Sequence, residues 1–230
     1  MTIRTRPEKD REISVAKLTE ILGCPRCFWR TARIKQPRRE FPGIPSHLRA
    51  ILRDLRDDHR KTRPQEPYHH FFEGNTRLIL ADQHCIDRLR SRKGISVFNV
   101  LNVKPRVLLT GRFEDCLFDP KRSIYVPLII RISGKLHAPN LFDQLEADCF
   151  AHLLNMSGFK VGEAAIFHQY CPEKEEWMRA RKTIRIPVNP KNARLAFEKA
   201  ALILSLPKPP KALSGCEECA YMKTASKFER

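Results

Sequence analysis

Four of the eight cysteines fall in two pairs whose spacing suits shared metal ligation. They are Cys24-Pro25-Arg26-Cys27 near the start and Cys216-Glu217-Glu218-Cys219 near the end. Two intervening residues let one turn present both sulfurs to one ion, with backbone amides facing the thiolates. Two such pairs complete a tetrahedral four-sulfur shell. Zinc and an iron–sulfur cluster both accept four thiolates, so the ligand set alone leaves the two open. The pairs are too distant for a local zinc ribbon and would join the N- and C-terminal segments. A metal closing so long a loop stabilises the fold by restricting the unfolded chain. Each pair has aromatic company, Phe28 and Trp29 at the first and Tyr221 at the second. Cys85, Cys116, Cys149 and Cys171 are scattered and read as small buried hydrophobes. The polar N-terminal residues carry no secretory signal, so a disulfide framework is not expected.

The second chemical signal is charge. Forty-three Lys and Arg against 26 Asp and Glu give a net charge of +17 over 230 residues. That excess favours a polyanion through counterion release and steers association. Nucleic acid is the expected partner, DNA ahead of RNA. No stretch pairs a basic face with a Trp/Phe/Leu face, and apolar runs such as Val126 to Ile130 are too short to span a bilayer. A cytoplasmic protein with no membrane partner is therefore expected. Candidate phosphate contacts are Arg33, Lys35, Arg38 and Arg39, and then Arg49, Arg53, Arg56 and Arg60, which helical spacing places on one face. Asp54, Asp57 and Asp58 offset part of that charge.

These residues need elements to hold them. Val15, Leu18, Ile21 and Leu22 have helical spacing after Ser14, a good N-cap, and Gly23 ends that helix before the first cysteine turn. Arg30 to Pro45 is basic and proline-bearing and reads as an exposed connection. Leu48, Ile51, Leu52 and Leu55 mark the apolar side of the arginine-bearing helix. A short helix is predicted around Ala81 to Arg92. Val107–Phe113 and Ile124–Ile132 read as two strands of a hairpin turning at Asp119-Pro120-Lys121, with Pro127 marking an edge or a bulge. Leu141–Met156 is predicted helical, Val161–Tyr170 and Thr183–Val188 as strands. Asn189-Pro190 then opens a helix to about Leu206. A proline-rich linker leads to Cys216. The order gives a mixed α/β class with helices packed on a central mixed sheet. One domain spans 1–230, with a helical part at 1–95, a core at 96–206 and a cysteine-bearing tail at 207–230.

In that order the motifs resemble those of RecB-like PD-(D/E)XK nucleases, most closely the iron–sulfur branch that includes the CRISPR-adaptation exonucleases. The features are a helix before a Cys-Pro-x-Cys-aromatic segment, the Gly111-Arg112-Phe113-Glu114 strand, the Ser133-Gly134-Lys135 turn, a helix bearing Gln144, and the terminal cysteine pair. The resemblance implies a restriction-endonuclease-like sheet flanked by helices. It makes Glu114 the first carboxylate for a magnesium or manganese ion, with Asp115 beside it and Gln144 as a further remnant. It also implies an acid and a lysine on the next strand. With Ser133-Gly134-Lys135 as the anchor, Ile130 stands for the acid, Ile132 for the lysine, and Asp148 for a tyrosine after Gln144.

That loss bears on chemistry. Family catalysis holds divalent ions with carboxylates to polarise phosphate and activate water, and an isoleucine supplies neither ligand nor proton relay. Lys135, Asp54, Asp57, Asp58, His59 and the His69-His70 pair are the replacements that the sequence offers. Arg112 and Arg131, on the two strands near the lost centre, would hold a phosphate directly where a metal once stood. The expected function is nucleic-acid binding without catalysis, as a subunit or accessory of a nucleoprotein complex with protein partners. The alternative is an active metal-dependent nuclease with a rearranged site.

Overall fold

The computed structural model describes residues 10–33, 44–68, 77–91, 94–99, 101, 103–172 and 181–228. Lys35, Arg38, Arg39, His69 and His70 lie outside them. The elements in chain order are β1 (Arg11–Ser14), α1 (Val15–Thr19) with a 3-10 turn at Glu20–Leu22, α2 (Pro25–Arg33), α3 (Ile44–Thr62), β2 (Ile79–Leu80) and α4 (Gln83–Arg90). Then come β3 (Ile95–Phe98), β4 (Val107–Gly111), β5 (Asp115–Asp119), β6 (Ile124–Ile132), α5 (Leu141–Met156), β7 (Ala164–Tyr170), β8 (Arg181–Pro187), α6 (Pro190–Ser205) and α7 (Glu217–Phe228).

Two mixed sheets result. One has the order β1-β4-β3 and the other β2-β5-β6-β7-β8. β1 runs parallel to β4, and β6 runs parallel to β7. The expected α/β class with helices flanking the sheets is therefore observed, and the first strand and helix are integral to the core. The expected hairpin is different. β6 pairs with β5, not with β4, in the register Asp115↔Leu128 through Asp119↔Ile124. The chain leaves one sheet after Gly111 and enters the other at Asp115. Gly111 is required there by close approach, because a Cβ would stand 2.4 Å from Leu153 Cδ1 of α5. Pro127 also does not mark an edge, since β6 lies between β5 and β7. Its missing N–H is tolerated because the ladder to β7 begins only at Leu128.

Capping residues set several helix starts. Ser14 accepts from Lys17 N at 3.1 Å, Asp82 from Cys85 N at 2.8 Å, and Asn189 from Lys191 N at 3.1 Å. Asn140 and Asp143 form a reciprocal capping box on α5.

Apolar burial divides between two clusters. The larger gathers α1, α4, α5 and α6 around residues such as Leu109, Ile129, Phe150 and Phe167. The smaller lies beneath α3 and contains Leu52, Leu117, Val126, Leu128 and Ile130, with Ile132 packed against it. Strand alternation accounts for the division, because Leu128, Ile130 and Ile132 face α3 while Ile129 faces α5.

Helix α3 is rotated from the sequence expectation. Ile51 and Leu55 are exposed, whereas Leu52, Arg56 and Arg60 turn inward. These three are four residues apart and form one stripe.

Candidate metal centre and arginine cluster

The two cysteine pairs occupy equivalent places on two helices. The segment Cys24 to Cys27 is not a free turn. Pro25 opens α2, so Cys24 precedes the helix and Cys27 sits in its first turn. Likewise Cys216 precedes α7 and Cys219 sits in its first turn. The backbone closes both starts, with Phe28 N donating to Cys24 O at 3.0 Å and Ala220 N to Cys216 O at 3.0 Å. First-turn amides and the positive end of the helix dipole favour thiolates at both places.

The sulfurs converge. Cys24 Sγ lies 3.7 Å from Cys219 Sγ, and Cys27 Sγ lies 3.6 Å from Cys216 Sγ and 3.4 Å from Cys219 Sγ. All four lie within 4.8 Å of one another. A tetrahedron with metal–sulfur bonds of 2.3 Å has edges of about 3.8 Å, so this spacing suits four thiolates on one ion. The donor set can bind a metal such as zinc or an iron–sulfur cluster.

Ionisation is uneven among these thiols. Burial opposes ionisation of Cys24, yet the amides of Leu213, Cys27 and Arg26 and the Cys219 thiol bring it down to about 6. Leu213 N donates to Cys24 Sγ at 3.3 Å. Burial and then the neighbouring thiols push Cys27 up. Metal loading must therefore displace protons, which makes it stronger as pH rises.

Helix α2 is held against the end of α6 and the following linker. Trp29 Nε1 donates to Leu206 O at 3.1 Å, and Arg26 Nε donates to Pro210 O at 3.1 Å. Arg33 Nη2 donates to Leu204 O at 2.9 Å and Leu206 O at 2.7 Å, with its guanidinium 3.9 Å over the Trp29 ring. Arg33, expected at a phosphate, is thus tied into the clamp, and Trp29 packs beside the cysteines.

A second cluster lies where the resemblance places the nuclease centre. Asp115 is fully buried and accepts from three guanidinium groups. The contacts are Arg56 Nε at 2.8 Å, Arg60 Nη2 at 2.6 Å and Arg90 Nη2 at 2.8 Å. Cys116 N is within 2.9 Å of the same carboxylate. Asp57 adds a second acid, bridging Arg60 at 2.5 Å and Arg90 at 2.7 Å. Burial raises the Asp57 pKa, but the flanking Arg90 and Arg60 outweigh it and leave the carboxyl below its ordinary value.

Arg56 and Arg60, read from the sequence as a solvent-facing phosphate contact, are instead internal. Their side chains are 1% and 3% exposed. Asp115, offered as a metal ligand, has its oxygens occupied by arginines. Arg49 and Arg53 remain on the outside of α3, with side chains 46% and 53% exposed.

The remaining candidates are dispersed. Glu114 lies at the bend between the sheets, 3.4 Å from Arg49 Nε. Burial raises its pKa, opposed by Arg49, Arg56 and Arg131 and assisted by Glu146. Arg131 faces α5, where it pairs with Glu146 and with Asp143 at 3.0 Å. It therefore stands on the sheet face opposite Asp115. Gln144 donates to Asp148 Oδ1 at 3.1 Å and to Pro187 O at 2.7 Å. Asp148 in turn receives Asn189 N at 2.7 Å, so Gln144 and Asp148 pin the start of α6.

Among the proposed replacements, His59 packs edge-on to Tyr68 with ring centroids 4.9 Å apart, while Asp54, Asp58 and Lys135 are exposed. Arg90, which the sequence reading missed, is a full member of the Asp115 cluster. Its signal was a basic residue in the last turn of a helix whose buried side carries Ile86 and Leu89. Among the described residues, the four cysteines are the group placed to hold a metal, and no helix is long and apolar enough to cross a membrane.

No family model matches the chain, and no curated protein matches it. Among solved structures it is similar to the crystal structure of SSO0001. The identity is 14% and the TM-score 0.43, over 86% of this chain and 79% of that one.

Proposed function

We propose that this chain is a nucleic-acid-binding protein built on a RecB-like nuclease scaffold whose catalytic centre has been replaced by structural residues. The observation that carries this reading is the environment of the two substituted motif positions. Ile130 is 2% exposed and Ile132 packs beside it, both in the apolar cluster beneath α3 with Leu52 and Leu128. A hydrated magnesium ion has no place in that cluster, since it keeps several waters and demands oxygen ligands. The neighbouring carboxylate, Asp115, is neutralised by arginines. What supports binding is the charge of +17, which favours polyphosphate partners and makes affinity fall with salt. DNA is the proposed partner ahead of RNA, and a nucleoprotein complex is the proposed setting.

The clamp contributes stability in this reading. The sulfur spacing favours a single zinc ion. In a four-iron cluster each thiolate binds its own iron, which spreads the sulfurs further apart. Metal analysis of anaerobically purified protein tests this. One zinc per chain and no visible charge-transfer absorption is expected, and stoichiometric iron with acid-labile sulfide would refute it.

The functional test is a gel assay with labelled single- and double-stranded DNA and RNA in magnesium, manganese or EDTA. Shifted but intact substrate in all three is expected. Metal-dependent cleavage abolished by Glu114→Ala would overturn the non-catalytic reading.

A further inference from the structure

Helix α3 and the bend at Arg112–Glu114 enclose a cleft of about 310 Å³. Arg49, Arg53, Arg56, Arg90 and Arg112 line it, with Glu114 as the carboxylate on its wall. At an ordinary liquid volume per water, that space holds roughly ten waters. It is too large for a packing defect, and five of its nine lining residues are arginines.

Arg56 is the most deeply buried of the arginines that line the cleft. Arg56 is 1% exposed, and its Nε is committed to Asp115. Its Nη1 is buried and has no hydrogen-bond partner among the described residues. A buried donor of a charged group left without an acceptor is costly and rarely retained. The charge count agrees. Arg56, Arg60 and Arg90 share two carboxylates, Asp57 and Asp115, leaving one positive charge in excess in this cluster. Arg49 and Arg53 stand about one helical turn apart at the mouth, their side chains about half exposed. Their present acids are loosely held, Glu114 at 3.4 Å and the exposed Asp54 at 3.7 Å.

An anion with several acceptor oxygens satisfies all of these conditions at once. It cancels the excess charge and draws Arg49 and Arg53 together beside the Arg56 guanidinium that lines the cleft. Phosphate is the group whose geometry guanidinium forks match. We propose that this cleft is a phosphate-binding site, with Arg56 at its floor and Arg49 and Arg53 at its mouth. The phosphate comes from a polynucleotide backbone; only that source rests on the function proposed above. Glu114 competes with the phosphate for Arg49.

The test uses the full chain and two probes, inorganic phosphate followed by 31P NMR and short labelled oligonucleotides followed by fluorescence anisotropy. Ala50→Glu brings a carboxylate onto the cleft wall from an intermediate-exposure position and leaves the buried arginines untouched. Glu114→Gln removes the competing charge. Circular dichroism and thermal melts confirm that both variants fold. Saturable phosphate binding is expected, weakened by Ala50→Glu about tenfold, equivalent to about 1.4 kcal/mol, and strengthened by Glu114→Gln. Oligonucleotide affinity moves in the same directions.

Folded protein with no saturable phosphate binding, or binding indifferent to both substitutions, would overturn the site. Oligonucleotide binding would then survive unchanged and leave the proposed function standing. Phosphate binding that responds to both substitutions, with no oligonucleotide bound at moderate salt, supports the site but assigns it to a small phosphorylated ligand and overturns the nucleic-acid function.

Discussion

Replacing Asp115 with asparagine separates a structural carboxylate from a catalytic one. Asp115 is 0% exposed and takes guanidinium donors from Arg56, Arg60 and Arg90 at 2.6 to 2.8 Å. Asparagine keeps the shape but removes the charge, and it turns an NH2 toward one of the donors. Arg56 and Arg60, at 1% and 3% side-chain exposure, would then keep their desolvation cost without their main counter-ion. Breaking one buried pair in this way costs roughly 3–5 kcal/mol. The three pairs share one acceptor, so their losses do not add, and about 5 kcal/mol is the expected total. For a chain of this size that corresponds to a fall in Tm of roughly 10–20 °C. Calorimetry with urea unfolding at neutral pH measures it, and Asp54→Asn, an exposed acid on α3 near Arg56, serves as control. A catalytic carboxylate behaves oppositely, since its removal is commonly neutral or stabilising. A Tm within a few degrees of the parent would refute the structural assignment of Asp115.

Three further predictions follow from particular contacts. Glu114→Gln flattens the stability profile between mildly acid and neutral pH. The folded-state pKa of Glu114 is raised, so its contribution is complete below the ordinary glutamate value and is lost as pH rises through the folded value. The groups that face it are Arg49 and Arg56 from α3, Arg131 from β6 and Glu146 from α5, and Tm measured across that range reads the effect. Installing the acid and lysine that the proposed scaffold implies, with Ile130→Glu and Ile132→Lys, is expected to produce no nuclease and to destabilise the fold by roughly 3 kcal/mol or more, because a charge enters a site only 2% exposed. Cleavage by a folded double variant would contradict the closed cluster. Gly111→Ala is expected to cost roughly 1–3 kcal/mol, because the new Cβ meets Leu153 Cδ1 at 2.4 Å; an unchanged urea midpoint would contradict that close approach.

Periodic and capped segments were legible in the sequence because local chemistry fixes them. β6 and α5 have the bounds that their apolar pattern and turn residues predict. The cysteine pairs were legible because two-residue spacing has few other uses. What escaped was set by partners distant in sequence. The apolar content of α3 favours burying Ile51 and Leu55, but Asp115 on the facing strand draws Arg56 and Arg60 inward, and the helix turns to supply them. Chain order places Arg131 and Arg112 on neighbouring strands near one centre. Alternation along β6 instead sends Arg131 to Asp143 and Glu146. The hairpin was assigned to β4 because Arg112 to Glu114 carries no glycine or proline to announce a change of sheet; the bend depends on Gly111 lying against α5.

The clamp also imposes an order on how the molecule is made. Cys27 and Cys216 are 189 positions apart. At the usual pace of translation, the first two thiols wait on the order of 10–40 s for their partners to be synthesised. During that interval they are an open half-site, exposed to oxidation and to stray soft metals. Closure needs Cys216 and Cys219, so a chain that stops before them lacks two of the four sulfurs. Metal occupancy therefore reports that both cysteine-bearing segments are present and brought together, since each supplies two of the four sulfurs.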